Sequence, residues 1–303
     1  MLKKLSGYTL ALAGLALIFT SCKKEYESIQ SVDSKKITDY IAKNNLTSMV
    51  EDSAKTGYYY QIVTQGTGDL LKNTDSVFYN GVLKSMDNGT VYLTTPTYAN
   101  LGTYVGYTNA LTYNSVSYSI PAIRNSLLKL RRGGSVRILL PSYLAFGNNG
   151  AGEVPSNENI DITITTYPEA TQAALDERLI QKFIADKGLT GMIRDASGVY
   201  YTVVTPGTGT DVITTTSTLE TTYTGRLTNG DVFDSNTAAS IVLSGTIKGW
   251  SRTIPGNITS GGKIRMLIPS GLAYGTSGTS QGTVAIPGNA ILDFDLEVTK
   301  VTP

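Results

Sequence analysis

The chain has 303 residues, of which 41% are hydrophobic and 16% charged, with 31 glycines, and these values are typical of a folded, turn-rich protein of more than one domain. Its formal net charge is +1, and removal of residues 1–21 would leave it close to neutral, so we expect no nucleic-acid partner. The chain has no histidine and one cysteine, which excludes Cys/His zinc sites, an internal disulfide and Ser-His-Asp hydrolysis. We expect neither a metal nor a cofactor.

Residues 1–21 are predicted to be a signal peptide. Lys3 and Lys4 precede an apolar run over residues 8–19, which is shorter than the about 20 residues of a membrane span. The following Cys22 makes the segment resemble the lipobox of bacterial lipoproteins, although Phe19 stands where leucine is usual. The alternative is an ordinary secretory signal with an incidental cysteine.

The lipobox resemblance implies cleavage before Cys22 and lipidation of that residue. It therefore implies a protein anchored in the bacterial cell envelope, on the periplasmic side or in the outer membrane. Several lipid chains on one residue would give firm anchoring, at about 0.8 kcal/mol for each buried methylene group. Residues 22–36 are polar and are predicted to form a tether.

The remaining chain contains the same unit twice. Segments 40–47 and 57–68 recur as segments 183–190 and 198–209, at offsets of 143 and 141. Tyr79-Asn-Gly81 is aligned with Tyr223-Thr-Gly225 at an offset of 144, and Ala145-Phe-Gly147 with Ala273-Tyr-Gly275 at 128. Such offsets indicate duplication of a domain and not a solenoid of short repeats. Pro168 marks the boundary, which gives domains 37–167 and 172–303 and a linker over residues 168–171.

Each unit is predicted to open with a helix of about ten residues. In the second unit Leu175, Leu179, Ile180, Phe183 and Ile184 form one apolar stripe at helical spacing. Strands rich in aromatic and branched residues are predicted over residues 200–204, 219–227, 262–268 and 290–301. Short strands, glycine turns and one further short helix predict an antiparallel sheet curled around that helix, so the fold class is α+β.

The second unit carries four linked motifs, followed by Phe294-Asp-Leu-Glu297. These motifs are Tyr223 to Ser235 with Gly-Asp-Val-Phe-Asp-Ser at its end, Ile247-Lys-Gly-Trp250, Leu272-Ala-Tyr-Gly275 and Ile286-Pro287. Their order and content resemble the FKBP-type peptidyl-prolyl isomerase family over about residues 198–301. The resemblance implies two FKBP-like domains, each with an extra N-terminal helix, and proline-containing polypeptides as substrates.

Isomerisation of an Xaa-Pro bond requires neither an acid nor a base. Rotation costs about 18–20 kcal/mol because amide resonance must be broken. The charge separation of the planar amide shrinks in the twisted transition state, so an apolar pocket favours the twisted form. A chain without histidine suits such chemistry.

The resemblance also assigns roles to particular side chains. Trp250 would form the floor under the prolyl ring, with Tyr223, Phe233, Ile286 and Phe294 as walls. Tyr274 would offer its hydroxyl to a substrate carbonyl, the Ile247 backbone N–H would do the same, and Asp234 would present a polar group at the rim. A lone Trp or Phe in a sheet protein is more often a core residue, and Asp-Ser is common in turns, so these assignments depend on the motifs.

Two features depart from the family pattern. Residues 275–282 are rich in glycine but lack the Gly-Lys-Ser/Thr ending of a P-loop, so we expect a mobile loop over the pocket. The bulky aromatic residue that the family has before Ile247 is missing, with Ala238 and Ala239 nearby, which leaves one wall open.

The first unit has lost most of these residues. Tyr92-Leu93 replaces Phe-Asp, Ile123 replaces Trp, Phe146 replaces Tyr, Val154-Pro155 replaces Ile-Pro and Ile162 replaces the final Phe. We therefore expect weak or no isomerase activity in residues 37–167. The tyrosine-rich insertion over residues 98–107 is either a binding surface or a longer edge hairpin.

The sequence thus favours an envelope-anchored prolyl isomerase with a catalytic C-terminal domain. The alternative is a non-catalytic chaperone or scaffold lipoprotein that only holds extended chains.

Overall fold

A computed structural model describes residues 27–303 of the chain. The predicted signal peptide and Cys22 lie outside the described residues. The first domain contains two helices and eleven strands within this range, in the order α1 (Ile29–Lys43), β1 (Val50–Glu51), β2 (Tyr59–Thr64), β3 (Thr67–Leu70), β4 (Ser76–Ser85), β5 (Val91–Thr94), β6 (Leu101–Tyr104), β7 (Ala110–Tyr113), β8 (Val116–Ser119), α2 (Pro121–Leu127), β9 (Arg131–Arg132), β10 (Ser135–Leu140) and β11 (Ile160–Thr166).

The second domain repeats this plan with fewer strands. Its elements are α3 (Gln172–Asp186), β12 (Ile193–Arg194), β13 (Tyr200–Thr205), β14 (Thr218–Leu227), β15 (Val232–Val242), α4 (Lys248–Thr253), β16 (Lys263–Ile268) and β17 (Leu292–Thr302). The predicted α+β class, with antiparallel sheets and few helices, is confirmed.

The two main sheets have the same strand order. It is β1-β2-β10-β11-β4-β5 in the first domain and β12-β13-β16-β17-β14-β15 in the second, and every pairing is antiparallel. The first sheet has an additional edge strand, β6, which pairs with β4 and belongs to the tyrosine-rich insertion. The sequence predicted either a binding surface or a longer edge hairpin in this insertion, and the structure contains an edge strand there.

Each sheet carries a separate apolar cluster on each of its faces. On β16, Ile264, Met266 and Ile268 enter the main core with the short helix α4, whereas Leu267 faces α3 on the other side. The side chains of a strand alternate between its two faces, so one strand serves both clusters. The same division holds for β10, where Leu139 packs towards α1.

A buried carboxylate joins each N-terminal helix to its domain. Asp176 in α3 accepts hydrogen bonds from the backbone N–H and the hydroxyl of Ser270, at 2.8 and 2.7 Å. Asp33 in α1 makes the same two contacts with Ser142, at 2.9 and 2.7 Å. The N-terminal helices are therefore built into their domains.

The predicted tether over residues 22–36 is too long. Helix α1 begins at Ile29 and Asp33 is fully buried, so residues 29–36 belong to the first domain. The two N-terminal helices also have 15 residues each instead of about ten. The start of α1 could not be recognised in the sequence, because its residues are polar and the buried Asp33 gives no apolar signal.

Strand β15 was not predicted. Phe233 is its one buried residue, so the strand lacks the alternating apolar pattern by which a half-buried strand is recognised. It forms the edge of the second sheet, where most side chains face water. The predicted strands at 200–204, 219–227, 262–268 and 290–301 are observed with end points shifted by one or two residues.

The alignment of Tyr79 with Tyr223 is wrong by two residues. Ile162 lies opposite Leu83 and Ile138, as Phe294 lies opposite Gly225 and Met266. Leu83 is therefore the counterpart of Gly225, and Gly81 is the counterpart of Tyr223. Tyr79 precedes Gly81, the true counterpart of Tyr223, by two residues, which is about 6.6 Å along β4.

Asp176 gives a testable prediction about stability. Replacement of Asp176 by alanine leaves the Ser270 donors buried without an acceptor, so we expect Asp176→Ala to lower the free energy of unfolding by about 1–3 kcal/mol. Asp176→Asn keeps one acceptor oxygen and should lose less. Urea denaturation of both variants measures the difference, and equal stability of Asp176→Ala and the wild type would contradict the anchoring role.

Burial raises the pKa of Asp176 and thereby gives this carboxylate a pH signature. Stability from a group with a raised folded-state pKa is complete below its unfolded pKa of about 3.9 and falls as the pH rises through the folded pKa. We therefore expect the wild type to lose stability relative to Asp176→Asn as the pH is raised from about 3.9 towards neutrality. A constant difference over that range would contradict this prediction.

Candidate active site

The predicted site residues of the second domain come together on one side of its sheet. Their positions are Tyr223 on β14, Phe233 and Asp234 on β15, Ile247 and Trp250 at the start of α4, Tyr274 after β16, Ile286 in the loop before β17, and Phe294 on β17. The apolar and aromatic members, apart from Tyr274, belong to or pack against one core cluster. The motifs thus converge although 71 residues separate the first from the last.

Four aromatic rings form the centre of this site. Trp250 packs edge-to-face against Tyr223 and Phe294, with ring centroids 5.2 and 5.1 Å apart. Phe233 packs in the same manner against Phe294, at 5.4 Å. Edge-to-face geometry places the positive rim of one ring against the negative face of another, which fixes the rings relative to one another. The aromatic part of the site is therefore rigid and apolar.

Gly225 makes this packing possible. It lies on β14 between Asp234 of β15 and Phe294 of β17. A Cβ atom at this position would come within 2.5 Å of Phe294 and 2.6 Å of Phe233. Nonbonded carbon atoms do not approach each other this closely, so any side chain at position 225 would displace both rings. The glycine is required here for close approach and not for a turn.

The polar groups of the site lie at its rim. The hydroxyl of Tyr223 donates a 2.8 Å hydrogen bond to the Asp234 carboxylate. Burial, this hydrogen bond and the charge of Asp234 raise the pKa of Tyr223 to about 12. Asp234 itself is exposed in an edge strand and not in a turn. The carboxylate therefore fixes the orientation of the phenol while remaining in contact with water.

Two further donors face the same region. Tyr274 is 39% exposed, and burial together with the negative charge of Asp234 raises the pKa of its hydroxyl. The backbone N–H of Ile247 precedes the first turn of α4 and has no backbone acceptor within residues 27–303. Both groups are thus free to donate to a ligand.

The loop over residues 275–282 is tied to the rim of the site. Thr279 and Ile286 form an antiparallel bridge, and the N–H of Thr283 donates to the carbonyl of Phe233 at 2.9 Å. The corresponding bridge in the first domain joins Ala151 to Val154, so the second loop is four residues longer. Its extra residues lie next to Phe233.

Sequence reasoning missed three features of this site. The indole N–H of Trp250 is buried and has no acceptor within residues 27–303. Tyr98 of the first domain packs against the core cluster of the second. Asn289 donates from its side chain to the carbonyl and Oδ1 of Asn100, at 3.1 and 3.3 Å, so the first domain contacts the loop that carries Ile286. The Gly288-Asn289 pair indicates a turn, but nothing in the sequence points to the contact with Asn100.

The first domain has no equivalent aromatic site. Ile123 and Ile162 occupy the places of Trp250 and Phe294, and Leu93 occupies that of Asp234. Leu83 stands where the second domain has Gly225, which closes the space used by the two phenylalanines. The substitution of aromatic by branched aliphatic residues leaves an apolar core without the polar rim.

Residues 27–303 contain no cluster of three or more His, Cys, Asp or Glu side chains placed to hold a metal ion. Over the same range no helix has the length and apolar character needed to cross a membrane.

Comparison with known families agrees with this geometry. Residues 209–299 match the family model described as FKBP-type peptidyl-prolyl cis-trans isomerase. The matched segment includes every predicted site residue of the second domain.

Curated relatives show the same likeness. The chain is 39% identical over 111 residues to a probable FKBP-type peptidyl-prolyl cis-trans isomerase of Haemophilus influenzae, covering 35% of this chain and 44% of the relative. It is 35% identical over 127 residues to the isomerase FkpA of Escherichia coli, covering 41% and 44%. The chain thus spans about half the length of the curated relatives it matches.

Solved structures include similar proteins as well. The crystal structure of FkpA from Escherichia coli is 33% identical, with a TM-score of 0.37, over 43% of this chain and 61% of that one. A peptidyl-prolyl cis-trans isomerase from Pseudomonas syringae is 31% identical, with a TM-score of 0.37, over 45% and 98%.

The Tyr223–Asp234 hydrogen bond gives a second prediction. Because the folded-state pKa of Tyr223 is about 12 and the ordinary value about 10, its contribution to stability is complete below pH 10 and is lost as the pH rises towards 12. Tyr223→Phe cannot ionise, so we expect the stability advantage of the wild type over this variant to shrink from pH 9 to pH 11. Urea unfolding at both pH values measures it. An advantage that is unchanged or larger at pH 11 would contradict the assignment.

Proposed function

We propose that this chain is a peptidyl-prolyl cis-trans isomerase and that its second domain holds the active site. The observation that carries the proposal is the arrangement of Trp250, Phe233 and Phe294, which are buried side by side beneath a rim of polar donors. The family match over residues 209–299 supports it. Proline-containing polypeptides are then the substrates.

Catalysis follows from the polarity of this site. A planar prolyl amide carries partial charges on oxygen and nitrogen, which water stabilises. Transfer onto the apolar surface around Trp250 removes that stabilisation, whereas the less polar, twisted amide loses little. Each 1.36 kcal/mol of difference accelerates rotation tenfold. No proton transfer takes part in this step.

The rim groups hold the substrate in place. The Ile247 N–H and the Tyr274 hydroxyl would donate to carbonyl groups of the polypeptide on either side of the proline. Asp234 would keep the Tyr223 phenol turned towards the rim through their hydrogen bond. With the backbone held at these points, binding energy can be used to twist the prolyl bond.

The first domain is proposed to lack this activity. Ile123 offers no flat ring, and Phe146, at the position of Tyr274, has no hydroxyl. Residues 37–167 then act in binding or as a spacer, and residues 168–171 as a linker. This linker packs against the first domain, since Arg132 donates to the carbonyl of Glu169 at 3.3 Å.

Isomerisation of a short Xaa-Pro peptide by the full chain tests the proposal. We expect Trp250→Ala to lower kcat/KM by about tenfold or more, because the floor of the pocket is lost. Leu127→Ala is the control, since it removes a fully buried side chain of helix α2 from the core of the first domain, and it should leave kcat/KM near that of the wild type. Equal effects of both changes, or no acceleration by the folded wild type, would favour a non-catalytic chaperone or scaffold.

We further propose that Cys22 carries lipid and anchors the protein in the bacterial cell envelope. The lysine pair, the short apolar run and the single cysteine support this proposal, as does the bacterial origin of the relatives from Haemophilus influenzae and Escherichia coli. Residues 22–28 would then be the connection between the lipid and helix α1.

Cell fractionation tests the anchor. We expect the wild type in the membrane fraction and Cys22→Ser in the soluble envelope fraction, because one residue holds all the lipid. Ser21→Ala is a control that changes a neighbouring residue and keeps the thiol. Retention of Cys22→Ser in the membrane fraction would contradict the proposal.

A further inference from the structure

A cleft of about 390 Å³ lies between the two domains. Its walls are mainly apolar and come from Leu93, Pro96, Leu101 and Leu111 of the first domain and Pro287 of the second. A cleft of this size is within the range of sites that bind small molecules or side chains. Neither domain forms it alone.

The cleft contains a buried donor without a partner. Asn100 lines it and is 2% exposed, and its Nδ2 has no acceptor within residues 27–303. Its two acceptors are used, because the carbonyl and Oδ1 of Asn100 both accept from Asn289. An unpaired buried donor is unfavourable for the folded protein, so it points to an acceptor supplied by a ligand.

The cleft adjoins the proposed prolyl site. Pro287 lines the cleft and directly follows Ile286, which is buried in the core cluster of the site. Thr276, two residues after Tyr274, lines it as well. Consecutive Cα atoms are about 3.8 Å apart and an extended polypeptide advances about 3.3 Å per residue, so the cleft is within reach of substrate residues a few positions from the proline.

The cleft continues into the first domain. A second, small cavity of about 30 Å³ shares Leu93, Leu101 and Leu111 with it and reaches Ile123 and Ile162. These two isoleucines are the counterparts of Trp250 and Phe294. The inner wall of the cleft is therefore aliphatic, which suits a branched aliphatic side chain better than a flat ring.

We propose that this cleft is a second subsite for the same polypeptide whose proline occupies the site around Trp250. An aliphatic side chain of the substrate enters between Leu93 and Leu111, and Asn100 Nδ2 donates to a backbone carbonyl beside it. The inference rests on the proposed function, in that the ligand is a proline-containing polypeptide. It makes the first domain part of the substrate-binding machinery.

Binding of two longer peptides to the full chain tests the subsite. Both contain the same Xaa-Pro bond; one has leucines on either side of it, and the other has serines at those positions. Fluorescence anisotropy gives their Kd values without reliance on catalysis. We expect the leucine peptide to bind the wild type about tenfold more tightly, since one buried aliphatic side chain supplies at least that ratio.

Substitutions on one hairpin distinguish the cleft from the remaining surface. Ala110 is exposed and lines the cleft, so Ala110→Trp fills it, whereas Ser117→Trp changes an exposed residue of the same hairpin that does not line it. We expect Ala110→Trp to reduce the preference for leucine to near one and Ser117→Trp to keep it. Asn100→Asp keeps an acceptor for Asn289 and removes the donor, and should weaken binding of the leucine peptide about tenfold.

The outcomes separate the two proposals. Acceleration of the short Xaa-Pro peptide together with an unchanged leucine preference in Ala110→Trp would overturn the subsite and leave the proposed function standing. No acceleration of any peptide would overturn the function. If light scattering shows a dimer that Ala110→Trp converts to a monomer while the leucine preference is kept, the cleft holds a second copy and the subsite is wrong.

Discussion

The packing of Phe233 and Phe294 across Gly225 is the contact on which the site depends. Three neighbouring strands meet at this point, and the absence of a side chain at 225 lets both rings lie directly over the central strand. Trp250 then rests against Phe294, and Tyr223 against Trp250. The absence of a Cβ atom at position 225 therefore determines how closely Phe233 and Phe294 approach the strand. Trp250 and Tyr223 pack in turn against these rings.

The first domain shows what happens to the same sheet without this contact. With Leu83 in place of Gly225, aliphatic side chains occupy the space above the strand, and Ile123 and Ile162 belong to the core beside a small cavity. The framework does not change, because the strand order, the short helix and the buried Asp33–Ser142 anchor are all retained. The residues that hold the framework and the residues that line the candidate site thus differ within one fold.

The fold class could be predicted from the sequence, and so could the convergence of the motifs, because both depend on local signals. The motifs around Trp250, Tyr274 and Ile286 each lie in a short segment, and linked motifs in a fixed order define the place where they meet. The strand register of the first sheet, in contrast, could not be predicted from local signals. Tyr79-Asn-Gly81 matches Tyr223-Thr-Gly225 as a string, but strand pairing is decided by contacts with β11 and β17 that lie more than 60 residues away.

Strand β15 and the domain contact could not be predicted for related reasons. An edge strand with one buried side chain has no apolar pattern, so its extended form depends largely on its hydrogen bonds to β14. The Asn100–Asn289 contact joins two polar residues 189 positions apart, and such pairs leave no trace in composition or spacing. What sequence reasoning misses here are contacts that depend on how two completed surfaces fit together.

Asn289 takes part both in the loop beside the candidate site and in the contact between the domains. It is one of the residues with a positive φ, at 60°, and its N–H donates to the carbonyl of Gly275. A left-handed conformation is unfavourable for most side chains, although asparagine tolerates it. The backbone at 289 thus closes the loop that bears Tyr274 and Ile286, while the side chain at the same position contacts the first domain. Through Asn100, the first domain therefore contacts the loop that carries Ile286 beside the candidate site of the second domain.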